Sequence, residues 1–97
     1  MPLETTKWDP ADHIETVEDV AAYLEAAFED GDPVVVATML GAIARSRGMT
    51  KIAREAGVTR EALYKALSAE GDPRLSTLLG VVKALGLTLT VTPGKAA

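Results

Sequence analysis

The sequence contains no cysteine and a single histidine, His13. Without cysteine the chain cannot form a disulfide, a thiolate nucleophile or a cysteine-ligated zinc site, which agrees with a reducing compartment. His13 lies next to Asp12 without an arranged carboxylate cluster, so we interpret it as a surface residue rather than a metal ligand or general base. Ser46, Ser68 and Ser76 have no partner histidine that would indicate a nucleophile. We therefore expect no catalytic residue, no metal and no cofactor, and hence no enzyme.

Aromatic residues are scarce, at 4% of a chain that is 47% hydrophobic. The core must therefore be built from aliphatic side chains and methionine, as is typical of packed helices. A length of 97 residues fits one domain. No uninterrupted apolar run is long enough to cross a bilayer, and the first residues lack the pattern of a secretion signal. These absences predict a soluble cytoplasmic protein without a membrane partner.

The net charge of −4 is distributed very unevenly along the chain. Residues 1–32 hold ten acids and one base, Lys7, whereas residues 45–83 hold eight bases and four acids. A phosphate backbone repels the first region and attracts the second. The pattern predicts two surfaces with different partners, although charge alone also fits an ordinary solvated surface.

The first part of the chain predicts two helices after a short extended segment. Thr16, with Asp19 three residues later, is a variant of the capping box, and apolar spacing continues the helix to about Glu29. Asp32 is then a cap, with Pro33 at the first position of the second helix. Residues 34–44 carry no charge, which predicts either burial on nearly every side or cover by another chain.

Three consecutive valines at 34–36 also fit a strand. A helix is favoured because the apolar character continues beyond the usual length of a strand and ends at Gly48, a typical helix stop.

Residues 50–67 have the pattern of two short helices joined by a glycine-containing turn. Thr50 is predicted to cap a helix over residues 51–56, Gly57 to adopt the left-handed conformation, and Thr59 to cap a second helix over residues 60–69. The inward positions are those of Ile52, Ala53, Ala56, Val58, Leu63 and Leu67. The pattern predicts a helix-turn-helix whose second helix enters the DNA major groove.

The outward side chains of this helix pair are the predicted DNA contacts. Arg60 is the first candidate for a base contact, bidentate to guanine, because the start of the second helix meets the bases. Glu61 either accepts a hydrogen bond from a cytosine amine or only stabilises the helix start. Tyr64 either contacts a phosphate through its hydroxyl or packs. The full predicted set consists of Arg47, Thr50, Lys51, Thr59, Arg60, Glu61, Tyr64 and Lys65.

Backbone contacts are predicted around the starts of both helices. Arg47, Thr50 and Lys51 are expected to meet phosphates at the first helix, and the Thr59 hydroxyl with the free amides behind it can hold a phosphate at the second. Arg54 and Arg74 are weaker candidates.

The end of the chain changes from helical to alternating periodicity. After a last amphipathic helix with Leu75, Leu78, Leu79, Val82 and Leu85 on one face, apolar residues alternate with threonine from Leu87 to Thr92, which predicts a β-strand. A lone strand needs a partner. The candidates are the stretch from Thr5 to Trp8 and, favoured here, the same tail of a second subunit. We therefore divide the chain into an extended segment (1–15), a helical domain (16–86) and a strand with tail (87–97).

Several motifs along nearly the whole chain resemble one known family. They are Thr5–Pro10, Tyr23–Ala26, Ile52–Val58, Leu63–Leu67 and Val82–Leu87, and they resemble the addiction-module antidote proteins, which are HigA-like antitoxins with an Xre-type helix-turn-helix. The resemblance implies an all-α, five-helix, lambda-repressor-like DNA-binding domain, here with a short C-terminal β-strand. It further implies a homodimer that represses its own toxin–antitoxin operon, and a small basic toxin of the RelE/ParE superfamily as partner. It does not identify toxin contacts, so Trp8, Tyr23 and the nearby acids are open candidates. Packing within its own chain is the favoured interpretation of Trp8, and Tyr23 also fits such packing.

Two other functions fit the sequence. One is a stand-alone helix-turn-helix repressor without a toxin. The other is a helical protein-interaction adaptor that never meets DNA, which the net charge of −4 and the uncharged segment would suit.

Overall fold

A computed structural model describes residues 15–94, and within them the chain forms five α-helices. These are α1 (Val17–Asp30), α2 (Pro33–Arg47), α3 (Met49–Ala56), α4 (Arg60–Ala66) and α5 (Leu75–Ala84). The prediction of five helices is confirmed. The predictions for residues 1–14, including His13, Trp8 and a strand near Thr5, lie outside the described residues. No helix within residues 15–94 is both long and apolar enough to span a membrane.

The starts of α1 and α2 are fixed by local hydrogen bonds, as predicted. At α1 the Thr16 hydroxyl accepts from the Asp19 N–H at 3.0 Å, while the Asp19 carboxylate accepts from the Thr16 N–H at 3.2 Å. At α2 the Asp32 carboxylate accepts from the Val34 N–H at 2.9 Å, with Pro33 at the first helical position. These bonds satisfy amides that have no partner inside the helix. Residues 34–36 belong to a helix, which confirms the choice of helix over strand.

Gly48 both ends α2 and begins α3, because its φ of 106° and ψ of 100° turn the chain sharply. Its carbonyl accepts from the Ile52 N–H at 3.1 Å, which closes the first turn of α3. The prediction that Thr50 caps this helix is therefore wrong. The helix starts at Met49, and Thr50 lies within its first turn without capping it.

The helix α4 ends at Ala66, three residues before the predicted end at Ala69. The Ser68 hydroxyl donates to the Lys65 carbonyl at 2.8 Å, and the Gly71 N–H donates to the Ser68 carbonyl at 2.9 Å, so the chain turns instead of continuing the helix. Gly71 also packs so closely on the Lys65 and Ala66 carbonyls that a Cβ at this position has no room.

The core lies between α1, α2, α3 and α5, with α4 seated on it through Leu63. The prediction of an aliphatic core is confirmed, since the largest fully buried side chains are Leu40, Ile43, Ile52, Leu63, Val20 and Val81. Small residues allow close approach between elements: Gly80 of α5 lies against Ala56 of α3, and Gly41 of α2 lies against the Leu67 carbonyl at the end of α4.

The predicted apolar face of α5 is confirmed for Val82, Leu85 and the partly buried Leu78, and it is wrong for two of its leucines. The helix buries Thr77, Val81 and Val82, whereas Leu75 and Leu79 are 68% and 45% exposed. Similarly, the uncharged start of α2 leaves Val34 48% exposed, while Leu40 to Ala44 are buried. Helical spacing alone does not reveal which apolar stripe meets the core when a helix has more than one.

The predicted β-strand from Leu87 to Thr92 is wrong for the chain as described. Within residues 15–94 there is no strand. The Leu87 N–H donates to the Val82 carbonyl at 3.1 Å, and residues 88–94 make no backbone–backbone hydrogen bond within the range 15–94. Alternation of apolar and polar residues produces a strand only where a second strand completes the hydrogen-bond ladder. No such partner lies in the described part of the chain, and the segment runs past α1 instead.

Candidate nucleic-acid interface

The helices α3 and α4 are joined by a three-residue turn, Gly57, Val58 and Thr59. Gly57 has a φ of 80°, in the left-handed region that glycine adopts most easily, and its N–H donates to the Arg54 carbonyl at 3.2 Å. The Val58 N–H donates to the Ala53 carbonyl at 3.0 Å, and the Val58 side chain packs partly buried against the core. The predicted roles of Gly57 and Val58 are confirmed.

Opposite sides of α4 face the core and the solvent. Leu63 is fully buried, and Leu67 just after the helix is 2% exposed, so these two side chains fix how the helix sits. Thr59 caps the helix as predicted, with its hydroxyl accepting from the Ala62 N–H at 3.0 Å. The four predicted contact residues on the helix, Arg60, Glu61, Tyr64 and Lys65, are all exposed.

Arg60 and Tyr64 interact along the exposed side of α4. The guanidinium carbon of Arg60 lies 5.5 Å from the centroid of the Tyr64 ring, a cation–π distance. Hydrogen bonding to the Tyr64 side chain, followed by charge interactions with Tyr64 and Glu61, raises the pKa of Arg60 above its ordinary value. The contact with Tyr64 places the Arg60 side chain along the exposed surface of α4.

The remaining predicted contacts lie around the start of α3. Thr50 and Lys51 are exposed in the first turn of that helix. Arg47 is the last residue of α2, and its Nη2 donates to the Thr16 carbonyl at 3.3 Å. Arg47 thus connects the end of α2 to the start of α1, a long-range contact that no local pattern predicts.

Acidic side chains gather on α1, away from the basic residues of α3 and α4. This helix contains five acids and no base. Hydrogen bonds from the Glu15 and Thr16 amides, with a smaller effect of nearby Arg47, lower the pKa of Asp19 below its ordinary value. No group of three or more potential metal ligands occurs among the residues that the structure describes.

Comparison with known proteins identifies the family. The model of the family described as "probable addiction module antidote protein" matches residues 4–93. A protein of Haemophilus influenzae described as an uncharacterized protein is 40% identical over 91 residues, covering 94% of this chain and 94% of that protein. No solved structure matches. Because the family model spans nearly the entire sequence, the chain belongs to the family of probable addiction module antidote proteins.

Proposed function

We propose that the chain is a sequence-specific DNA-binding antitoxin that neutralises a toxin and represses the operon encoding both. The observation that carries the DNA-binding part is the seating of α4: Leu63 anchors it to the core while Arg60, Tyr64 and Lys65 project from its exposed side. A short helix held in this way at a glycine-containing turn has the form of a recognition helix. The family description supports the antitoxin part.

In this proposal α4 enters the major groove. Arg60 contacts a guanine through both of its terminal nitrogens, and Glu61 either accepts from a cytosine amine or stabilises the helix start. Tyr64 and Lys65 contact the bases or the phosphates beside them. Thr59, Thr50, Lys51 and Arg47 contact the DNA backbone and fix the position of the protein.

The partner is a small basic toxin of the RelE/ParE type, bound in the cytoplasm. The family description supports a toxin partner, and the acidic surface of α1 suits a basic one. The protein itself acts by binding and not as an enzyme.

The DNA-binding form is a homodimer, since helix-turn-helix proteins read two half-sites with two subunits. Exposed Leu75 and Leu79 on α5 support a second subunit, because large apolar side chains at this exposure gain from being covered. Light scattering after gel filtration tests this. A monomer at the concentrations that bind DNA would contradict it.

A gel-shift with the DNA upstream of the gene tests the DNA-binding part. We expect a discrete complex that competitor DNA of unrelated sequence does not displace and that weakens at higher salt. Co-expression with the short reading frame beside the gene tests the antitoxin part, with relief of growth arrest as the readout. A DNA complex in the gel-shift without relief of growth arrest would favour the stand-alone repressor. Relief of growth arrest without a DNA complex would favour the protein-interaction adaptor.

A further inference from the structure

A groove runs between α1 and the last described residues of the chain, and it is separate from the proposed DNA-binding side chains. It has a volume of about 940 Å³, and apolar side chains from three parts of the chain line it. We call this depression the α1 groove. Its apolar lining consists of Leu24 and Phe28 of α1, Val82 of α5, and Leu87, Leu89 and Val91 of the segment 87–94.

Apolar surface in the α1 groove is open to solvent. Phe28 is 36% exposed, Leu89 is 39% exposed and Val91 is 97% exposed. A small helical protein gains little from presenting three large apolar side chains around one depression unless another molecule covers them. Partly exposed aromatic side chains such as Phe28 are also common anchors of protein interfaces.

The rim of the α1 groove is negatively charged. Glu25 and Glu29 line it, on a helix whose last turn has acids but no base. The C-terminal end of a helix carries a partial negative charge, so Glu29 and Asp30 stand where acids are least favourable. Positive side chains placed at this rim would relieve that repulsion.

The backbone along one side of the α1 groove has no backbone partner among residues 15–94. Beyond the hydrogen bond from Leu87 to Val82, residues 88–94 make no backbone–backbone hydrogen bond within the described part of the chain. A protein segment laid in the groove can therefore contact apolar side chains, carboxylates and peptide groups together.

We infer that the α1 groove binds a cationic segment of a partner protein, in which leucine-like side chains are interspersed with lysine or arginine. The inference rests on the proposed antitoxin function and assigns the face that holds the basic partner. DNA is disfavoured here by the charge of Glu25 and Glu29, and a second copy of this chain would bring acidic α1 surfaces together.

Two amphipathic peptides of equal length test the inference, one built from leucine and lysine and the other from leucine and glutamate. In an amide NMR titration of the full chain, we expect the leucine–lysine peptide to shift signals of α1 and of residues 87–94. The leucine–glutamate peptide should leave them unchanged. Three results would overturn the inference: shifts centred on α4, equal binding of both peptides, or shifts of α1 and residues 87–94 on raising the protein concentration alone. The last result would show a second copy in the groove, whereas shifts confined to α5 would only reflect the proposed homodimer.

Two variants separate charge from apolar contact. Glu25→Gln with Glu29→Gln should weaken binding of the leucine–lysine peptide about fivefold, and Phe28→Ala about tenfold. The matched control is Glu55→Gln with Glu70→Gln, which removes the same charge from exposed sites outside the α1 groove and should change binding less than twofold. A control as damaging as the groove variant would overturn the inference, and circular dichroism establishes that each variant is folded.

The upstream-DNA gel-shift distinguishes this inference from the proposed function. If the peptide binds the α1 groove but no DNA complex forms, the inference stands and the DNA-binding proposal fails. If the variant with Glu25→Gln and Glu29→Gln forms the DNA complex normally but the unsubstituted chain does not bind the leucine–lysine peptide, the inference fails and the DNA-binding proposal stands.

Discussion

The guanidinium of Arg60 lies over the ring of Tyr64, one helical turn further along α4, at 5.5 Å from the ring centroid. A charged side chain held in this way loses less freedom on binding than one that moves freely in solvent. We therefore expect Tyr64→Ala to weaken operator binding about fivefold, an exposed cation–π contact being worth about 1 kcal/mol. Tyr64→Phe keeps the ring and should lose less, as gel-shift titration will measure. Equal losses would assign the effect to the hydroxyl, through its hydrogen bond to Arg60 or through a phosphate contact, instead of to the ring.

Removing two positive side chains from α4 tests the proposed interface itself. Arg60→Ala with Lys65→Ala should weaken binding to upstream DNA and lower the slope of log affinity against log salt by about 1 to 2. The control is Arg45→Ala with Lys83→Ala, which removes equal charge from exposed positions on α2 and α5. If the control pair matched the α4 pair in both affinity and slope, general charge rather than α4 would be responsible.

Gly57 and Gly41 should both resist substitution, for different reasons. An added Cβ at Gly57 would contact nothing, but the backbone there is left-handed, which alanine resists. Gly57→Ala should therefore lower the unfolding free energy by about 1 kcal/mol, and Gly57→Asn should lower it less. Gly41→Ala places a methyl group against the Leu67 carbonyl and should cost about 1 to 3 kcal/mol through displaced backbone. Urea unfolding followed by circular dichroism measures both. An Asn variant at Gly57 as unstable as the Ala variant would contradict the conformational explanation.

Thr59 stabilises the start of a helix only seven residues long. Thr59→Ala removes the acceptor for the Ala62 N–H and should lower the unfolding free energy by about 1 kcal/mol, whereas Thr59→Asp should retain most of it. Thermal unfolding compares the three chains. An unchanged Tm in Thr59→Ala would mean that water accepts the hydrogen bond of the Ala62 N–H without a loss of stability.

Acidification should weaken the capping box of α1. The pKa of Asp19 is lowered in the folded chain below its ordinary 3.8, so its stabilising effect is complete above that pH and is lost as the pH falls through the lower folded value. Asp19→Asn should therefore be less stable than the original chain at pH 7, and the difference should shrink only below about pH 4. Urea unfolding at several pH values checks this. If the two chains already had equal unfolding free energies near pH 6, the titration of Asp19 would be excluded as the source of the difference.

Features set by neighbours in the chain were predictable from the sequence. The caps at Thr16, Asp32 and Thr59 each depend on a hydrogen bond spanning two or three residues, and the left-handed Gly57 depends on the absence of a Cβ. The exposed positions of Arg60 and Lys65 follow from helical periodicity once Leu63 is placed inside.

Other features were not predictable from residue type and spacing alone. Thr50 has the right residue type for a cap, but Gly48 already turns the chain and starts α3 earlier. Leu75 has the spacing of a core residue, yet α5 is seated through Val81 and Val82. The hydrogen bond from Arg47 to Thr16 joins residues 31 positions apart, and the α1 groove depends on where residues 87–94 run.

The junction at Gly48 leaves no spare chain between α2 and α3, because one residue completes the first helix and opens the second. Each residue of an α-helix advances the direction of its side chains by about 100°. One extra residue at this junction would therefore move Met49 and Ala53 out of their buried positions and bring the charged Lys51 and Glu55 toward the interior. The orientation of α3 and α4 relative to the core thus depends on the number of residues at this junction. A deletion or insertion here would destabilise the fold more than most substitutions.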